Sequence, residues 1–462
     1  MLELNDVSFR YADSEHGVKH IDLRVNRGEC VVVTGPSGGG KSTIARLING
    51  LAPSHFAGEV SGSIKIAGVD VNDMEPWARA QKVGSVFQDP KSQFFSSELA
   101  GEVAFACENC GFAHEDIVYR TDTAIAAFAL DELRERSLDV LSSGEKQRVC
   151  IASVCALSPG VIVCDEPTAN LDDESALKLA QTFAQLKAQG CTLIIAEHRL
   201  AWLHGIADRF VYVRDGQILW DQTADDAAKL TDDERRKYGL RSALPMPMPT
   251  LPAPRGGTVP IIEAEGVSCK MGGDTIFENK TFRAWPGQII AITGRNGAGK
   301  TTFAHVLSGL QRERGGRILI NGQALKPYKR GEHIWYGSND TSTQFFTSGV
   351  GDELLLMAKK SPDLLERARR LLKRLGLYEY RDAHPATLSG GQKQRLCVAC
   401  GILSDRSVLM LDEPTSGLDA ENMLIIASVL KETAAAGKTI LIITHDSELI
   451  AACCGWRYGF GP

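Results

Sequence analysis

The amino-acid sequence predicts an α/β fold that is built twice along one chain. Four short segments occur twice in the same order. They are GPSGGGKST and GRNGAGKTT, LSSGEKQR and LSGGQKQR, CDEPTANLD and LDEPTSGLD, and IIAEH and IITHD. Apolar runs rich in Val and Ile, such as CVVVTG and VIVCDE, alternate with helical patterns, which predicts a parallel sheet covered by helices on both faces. Collinear repeats of this kind indicate two copies of one domain.

The two copies are separated by the proline-rich segment LRSALPMPMPTLPAPRGGTVP. Alternating proline opposes both helix and sheet and favours an extended polyproline II conformation. We therefore predict a first domain at 1–239, a linker at 240–260 and a second domain at 261–462. We expect the linker to hold the two domains at high effective concentration, so that they pair within one chain.

Composition and charge exclude several classes of protein. The 462 residues carry a net charge of −6, and a mildly acidic chain is a poor nucleic-acid binder. We see no apolar stretch long enough for a transmembrane helix and no secretory signal at the N-terminus, so we expect a cytoplasmic location. For the twelve cysteines we predict buried thiols, because the CxxC pair at Cys397 and Cys400 lies in an apolar helical pattern.

Each GxxxxGK[ST] segment follows an apolar strand and precedes a helix, which is the context of a phosphate-binding loop. Glycines let backbone N–H groups close around phosphate oxygens, and the helix N-terminus adds a favourable dipole. We expect Lys41 and Lys300 to reach the phosphates, and Ser42 and Thr301 to ligate Mg²⁺. The predicted ATP-binding residues of the two loops are Gly35, Pro36, Ser37, Gly38, Gly39, Gly40, Lys41, Ser42, Thr43, Gly294, Arg295, Asn296, Gly297, Ala298, Gly299, Lys300, Thr301 and Thr302.

An apolar strand ending in two acids follows in each copy. Asp165 and Asp412 are the first acids, and they are placed to hold the Mg²⁺ shell. Glu166 and Glu413 are the second acids, and each is placed to act as the general base that polarises the attacking water. Acids at a strand end also commonly cap the next helix, but the phosphate loop nearby favours catalysis.

The LSSGE and LSGGQ segments supply a second set of phosphate-binding groups at the start of a helix. A copy with its own phosphate loop has no need of a second one, so we expect these residues to act on the nucleotide of the other copy. This arrangement implies two ATP molecules sandwiched between the copies. The predicted contacts are Ser142, Gly144, Ser389, Gly391 and Gln392.

This ordered set of motifs, with NLD or GLD and a strand-end histidine after it, resembles the ATP-binding cassette (ABC) family over nearly the whole chain. The resemblance implies tandem P-loop ATPase domains, each with a RecA-like core, an antiparallel β subdomain and an α-helical subdomain that carries LSGGQ. It assigns His198 and His445 as γ-phosphate contacts and Tyr11 as the residue that stacks on adenine. It also assigns Gln88 to the link between Mg²⁺, water and a partner protein.

Three positions depart from the family pattern. Aligned by flanking sequence, Met271 stands where the first copy has Tyr11, and Asn339 stands where it has Gln88. In the first copy, Glu145 stands where LSGGQ has glutamine. All three changes fall on the ATP site built around Lys300, so we expect the two sites to be unequal.

The segments Gln93-Phe94-Phe95 and Gln344-Phe345-Phe346 resemble those of the ATPases of energy-coupling-factor (ECF) importers for vitamins and metals. That resemblance implies two integral membrane partners, a transmembrane coupling protein and a substrate-binding protein, and a peripheral position on the inner face of the membrane. Simple core packing is the alternative explanation of the aromatic pairs. Two other functions stay open: a tandem ATPase of a sugar or nucleoside importer, and a soluble ABC translation factor. The short linker and the negative net charge of this chain argue against the translation factor.

Overall fold

The computed structural model describes residues 1–12, 16–169, 171–257, 259–356, 358 and 361–461. Asn170 of the NLD motif and Thr258 of the predicted linker lie outside these ranges. The chain divides into two compact units, Met1–Pro245 and Met246–Pro462, called the first and second unit below. The division falls within the predicted linker. Leu240 and Ala243, at the start of that linker, pack into the core of the first unit.

The first unit contains both helices and strands, as the sequence predicts. Its strands are β1 (Leu2–Tyr11), β2 (Gly17–Val25), β3 (Cys30–Thr34), β4 (Gly58–Ile66), β5 (Val69–Asp70), β6 (Val83–Val86), β7 (Val161–Asp165), β8 (Thr192–Ala196), β9 (Arg209–Arg214) and β10 (Gln217–Thr223). Its helices are α1 (Lys41–Asn49), α2 (Leu51–Ser54), α3 (Pro76–Lys82), α4 (Leu99–Asn109), α5 (His114–Ala127), α6 (Ser143–Ala156), α7 (Asp173–Ala188), α8 (Ala224–Ala228) and α9 (Asp232–Tyr238).

The second unit has a similar but not identical order of elements. Its strands are β11 (Ile262–Met271), β12 (Asp274–Ala284), β13 (Ile289–Thr293), β14 (Gly315–Ile320), β15 (Gln323–Ala324), β16 (Ile334–Gly337), β17 (Val408–Asp412), β18 (Thr439–Ile443) and β19 (Trp456–Gly459). Its helices are α10 (Lys300–Ser308), α11 (Pro327–Arg330), α12 (Val350–Leu356), α13 (Leu364–Arg374), α14 (Gly390–Leu403), α15 (Ala420–Ala435) and α16 (Ser447–Cys453).

Each unit contains a mainly parallel core sheet and an antiparallel sheet. The core sheets have the strand orders β10-β9-β3-β8-β7-β6 and β16-β17-β18-β13-β19. The antiparallel sheets have the orders β2-β1-β4-β5 and β12-β11-β14-β15. Strands β3, β8, β13 and β18 are buried along their whole length, because layers cover both of their faces. The predicted α/β fold, with a P-loop ATPase core and an antiparallel β subdomain in each copy, is confirmed.

The strand order brings the predicted motifs to one edge of each core sheet. Strands β3, β7 and β8 are parallel neighbours, so their carboxyl ends lie together. The phosphate loop follows β3, the acid pair ends β7, and His198 follows β8. The second unit places β13, β17 and β18 in the same way. Ligands of open α/β sheets bind at this edge.

The LSSGE and LSGGQ segments, called the signature segments below, begin helices α6 and α14. These helices pack in the α-helical part of each unit. The side chain of Ser142 caps α6 and that of Ser389 caps α14, each in a reciprocal capping box with the residue three positions later. In the described part of the chain, no helix is both long and apolar enough to cross a membrane.

Candidate active site

The first glycine of each phosphate loop has a backbone reason to be glycine. A Cβ on Gly35 would lie 2.0 Å from the carbonyl oxygen of Val213, which is on the neighbouring strand β9. A Cβ on Gly294 would lie 2.2 Å from the carbonyl oxygen of Phe460. Each loop therefore starts in close contact with the adjacent backbone. A side chain at its first glycine would displace the loop.

The loop lysines are buried inside the turns that they belong to. Lys41 Nζ donates to the carbonyl oxygens of Gly35 at 3.2 Å and Pro36 at 3.0 Å. Lys300 Nζ donates to those of Gly294 at 2.6 Å and Arg295 at 2.8 Å. Each loop thus closes around an ammonium group, and the enclosed positive charge suits a phosphate chain. The remaining loop residues predicted from sequence lie between these strands and helices.

A hydroxyl and a carboxylate meet beside each lysine. Ser42 Oγ donates to Asp165 Oδ1 at 3.0 Å, and Thr301 Oγ1 donates to Asp412 Oδ2 at 2.7 Å. Burial raises the pKa of both aspartates, while the hydroxyl and the nearby lysine act in the opposite direction.

These oxygen donors fit Mg²⁺, which prefers carboxylate, hydroxyl, phosphate and water oxygens. Among the described residues, no group of three or more His, Cys, Asp or Glu could hold a metal ion. A cation at the Ser42–Asp165 pair would therefore depend on phosphate and water oxygens as well, as is usual for Mg²⁺ at nucleotide sites.

In the first unit, Glu166 lies between Gln88 and His198. Gln88 Nε2 donates to Glu166 Oε2 at 2.9 Å, and His198 Nε2 lies 3.4 Å from Glu166 Oε1. Burial lowers the pKa of His198 well below its ordinary value, and the positive charges of Lys41 and Arg241 lower it further. The structure thus brings together Gln88, Glu166 and His198, which come from three separate segments of the sequence.

In the second unit, Glu413 has different neighbours. Thr444 Oγ1 donates to Glu413 Oε2 at 2.9 Å, and His445 Nε2 lies 4.0 Å from Glu413 Oε1. Asn339, at the position of Gln88, contributes its backbone carbonyl, which accepts from Gln394 Nε2 at 3.1 Å. Sequence analysis did not single out Thr444, although aligning IIAEH with IITHD exposes the difference at this position.

The residues predicted at the adenine end also differ between the units. Tyr11 ends β1, and its hydroxyl lies 3.1 Å from Thr43 Oγ1 and accepts from Arg46 Nη1 at 2.9 Å. Met271 ends β11 at the equivalent place and is exposed. Helix α1, which carries Thr43 and Arg46, thus fixes the ring of Tyr11, whereas the thioether side chain of Met271 offers no planar face.

The two signature segments differ in the charge that faces their serine. Glu145 Oε2 accepts from both the backbone N and the Oγ of Ser142, at 2.8 and 2.7 Å. Burial alone would raise the pKa of Glu145, but the bonds from Ser142 and the nearby arginines lower it. Ser389 N donates to the neutral Gln392 Oε1 at 2.8 Å instead. Gly144 and Gly391 lie in the first turns of these helices.

The fold and these paired loops, acids and histidines define a P-loop ATPase built of two similar units. The family model described as ABC transporter matches residues 18–169 and 277–416, and the chain belongs to this family. It is an ABC-type ATPase that binds and hydrolyses ATP.

Relatives match along almost the whole chain. A Treponema denticola protein named "Putative ABC transporter ATP-binding protein" is 37% identical and covers 98% of this chain and 94% of its own length. A Bacillus subtilis protein named "Putative HMP/thiamine import ATP-binding protein YkoD" is 32% identical and covers 98% of this chain and 86% of its own length. Archaeal ABCE1, solved on the ribosome with Pelota, aligns with a TM-score of 0.71 over 98% of this chain and 76% of the solved chain, at 22% identity, which shows a shared fold.

Proposed function

We propose that this chain is the ATP-hydrolysing energy-coupling subunit of a membrane importer of the ECF type, which carries a vitamin, a metal or another micronutrient. The names of the relatives support a transporter, and one of them names HMP/thiamine import. The observation that carries the proposal is a pair of exposed aromatic rings, one in each unit, next to the loops of Gln88 and Asn339.

The Gln-Phe-Phe segment has a buried part and an exposed part. Gln93 Nε2 donates to Ser85 O at 3.0 Å, which ties the turn to the end of β6. Phe94 packs against the core of the first unit, so core packing explains this residue. Phe95 is 74% exposed and stacks on Phe105 with ring centroids 4.7 Å apart. The second phenylalanine is therefore the candidate contact for a partner.

The second unit repeats this arrangement. Phe345 packs against the core, and Phe346 is 81% exposed. A buried glutamate holds the turn: Glu353 Oε2 accepts from the backbone N of Phe346 and Thr347, at 2.8 Å each. Glu102 does the same for Phe95 and Ser96 in the first unit. The exposed rings are thus fixed to rigid backbone, which suits anchors for a helix of a membrane protein.

The geometry of each unit supports the following roles for its residues, which belong to this proposal. Lys41 and Lys300 hold the phosphates, and the Ser42–Asp165 and Thr301–Asp412 pairs hold Mg²⁺, which neutralises phosphate charge when bound. Glu166 and Glu413 are the general bases, and each accepts a proton of the attacking water. His198 and His445 contact the γ-phosphate, and Gln88 links the first site to the partner.

We further propose that each signature segment completes the site of the other domain, with the two ATP molecules sandwiched between them. The domains run over 1–239 and 261–462, and the linker at 240–260 keeps them paired. On this proposal the partners are a transmembrane coupling protein and a substrate-binding membrane protein, and the chain is peripheral on the inner face of the cell membrane.

Fractionation of cells that express the tagged full chain tests this function. We expect the chain to sediment with membranes and to pull down integral membrane proteins. Sedimentation with ribosomes instead would favour the soluble translation factor. ABCE1, which was solved on the ribosome, shares the fold of this chain. Capture of a membrane channel for sugars or nucleosides would favour the other tandem importer class.

A further inference from the structure

The two glutamates proposed as general bases share one backbone conformation but have different hydrogen-bond donors. Glu166 and Glu413 both have φ of 47°, at the turn that follows β7 or β17. A positive φ is uncommon for a residue with a side chain, so this turn aims both carboxylates in the same way. Gln88 donates to Oε2 of Glu166 in the first unit, and Thr444 donates to Oε2 of Glu413 in the second.

We propose that Thr444 is a positioning residue for Glu413 and does in the second unit what Gln88 does in the first. This inference rests on the proposed role of Glu413 as general base. It identifies how the second site keeps an oriented base although Asn339 replaces the glutamine.

The hydroxyl of Thr444 has one available direction for its proton. Thr444 is fully buried, at 0% exposure. Its oxygen accepts from the backbone N of Asp446 at 3.0 Å, and its own proton points to Glu413 Oε2 at 2.9 Å. A hydroxyl that accepts one bond and donates another is fixed in rotation, so it can hold a carboxylate oxygen in place.

Between the units the carboxylate of this loop is shifted by two residues, and the second unit has Thr444 at the original position. In the first unit Glu197 occupies it, and Glu197 Oε2 accepts from the strand-end hydroxyl of Thr168 at 2.6 Å. In the second unit the corresponding hydroxyl, Thr415 Oγ1, donates to Asp446 Oδ2 at 2.8 Å. The carboxylate that binds this threonine lies before the histidine in the first unit and after it in the second, two positions further along the chain, and position 444 contacts Glu413 instead.

The other surroundings of Glu197 agree with a purely structural role for that residue. Its Oε1 accepts from the backbone N of His198 at 2.8 Å and of Arg199 at 3.1 Å, and its Oε2 also accepts from Trp202 Nε1 at 3.3 Å. Glu197 therefore holds the loop that carries His198. In the second unit Asp446 caps α16 by accepting from Leu449 N at 3.0 Å, and it holds the corresponding loop in place of a glutamate.

The test compares Thr444→Val, Thr444→Ser and Glu413→Gln in the full chain, with ATP as the substrate. We expect the decrease in kcat caused by Thr444→Val to be at least half as large as the decrease caused by Glu413→Gln. KM should be unchanged, because the base is misaligned while ATP binding is intact. Thr444→Ser keeps the hydroxyl and should retain wild-type kcat. Thr444→Val combined with Glu413→Gln should be no slower than Glu413→Gln alone.

Thermal unfolding and ATP binding verify that each variant is folded, and Thr444→Ala repeats the measurement without the second methyl group of valine. Wild-type kcat in both Thr444→Val and Thr444→Ala, with a clear loss in Glu413→Gln, would overturn this inference and leave the general base in place. An unchanged kcat in Glu413→Gln would instead overturn the proposed role of Glu413 itself.

Discussion

The hydroxyl of Tyr336 donates a hydrogen bond to Asp412 Oδ2 at 3.2 Å, and Thr301 donates to the same oxygen. Tyr336 lies on β16 opposite Met410 of β17, two residues before the aspartate. In the first unit Ser85 occupies this register, opposite Val163. The ring of Tyr336 also packs edge-on against His305, with centroids 4.9 Å apart. The second unit thus gives its proposed Mg²⁺ ligand an additional donor.

Removal of this hydroxyl should weaken the metal site of the second unit. Outer donors orient a ligating carboxylate, and their loss typically lowers metal affinity by about tenfold. We expect Tyr336→Phe to raise the Mg²⁺ concentration needed to fill the site, as measured by calorimetric titration of Mg²⁺ into the nucleotide-bound full chain. Ser85→Ala, at the matched position of the first unit, should leave it unchanged. An unaltered Mg²⁺ requirement in Tyr336→Phe would show that this bond is only structural.

The exposed aromatic rings should matter for membrane recruitment. We expect Phe95→Ala combined with Phe346→Ala to release the chain from membranes, while ATP affinity stays within a factor of about two, because the rings lie outside the loops that hold the phosphates. Quantitative fractionation and nucleotide titration measure the two effects separately.

Matched controls exist in both units for this experiment. Tyr119 is 72% exposed and Tyr328 is 71% exposed, so both rival the two phenylalanines in accessibility. Tyr119→Ala with Tyr328→Ala should leave the chain on the membrane. Equal release by both pairs of substitutions would mean that general surface hydrophobicity, and not the Gln-Phe-Phe surface, drives recruitment.

A buried ion pair should carry part of the stability of the second unit. Arg330 is 1% exposed, and its guanidinium donates to both carboxylate oxygens of Glu313 and to Val306 O. Loss of one partner of a buried pair leaves the other unpaired, so Arg330→Met should cost about 3 kcal/mol of unfolding free energy. Arg374→Met removes the exposed pair with Glu432 and should cost much less. Urea unfolding compares the two, and equal losses would contradict this ranking.

The same pair predicts an acid dependence of stability. Burial would raise the pKa of Glu313, but the bonds and the charge of Arg330 outweigh it, and the folded-state pKa lies below the ordinary value of 4.5. The contribution of Glu313 is therefore present above pH 4.5 and is lost as the pH falls through the folded-state value. Arg330→Met should flatten this part of the stability curve in acid unfolding. An unchanged acid limb would exclude Glu313 as its source.

The two catalytic units should contribute unequally to turnover. Met271 offers no ring where the first unit has Tyr11, and the carboxylate of Glu145 faces Ser142 where Gln392 faces Ser389. Both differences belong to the proposed site around Lys300. We expect Glu166→Gln alone to lose more activity than Glu413→Gln alone, in phosphate release by the assembled complex. A larger loss from Glu413→Gln would reverse this order.

Sequence could predict the parts of the site that lie within one short segment. The phosphate loops, the acid pairs and the strand-end histidines each combine a fixed spacing with a strand or helix boundary, and the fold places them at one sheet edge as expected. The ABC family and the α/β fold are predicted correctly for the same reason.

Contacts between distant segments could not be predicted. The bond between Tyr336 and Asp412 joins residues 76 positions apart, and it depends on the register of β16 against β17. The bond between Thr444 and Glu413 depends on a loop carboxylate that lies two residues further along the chain in the second unit than in the first. Likewise, the letters Phe-Phe do not tell which ring is buried, because no regular period extends through that turn.

Phosphate release by the double variant Glu166→Gln/Glu413→Gln tests the central claim most directly. This claim is that the chain hydrolyses ATP with Glu166 and Glu413 as general bases. Glutamine keeps the shape of the side chain but cannot take a proton from water, so turnover should be abolished while ATP still binds. Nucleotide titration of the same preparation establishes binding. Undiminished phosphate release from this double variant would contradict the account.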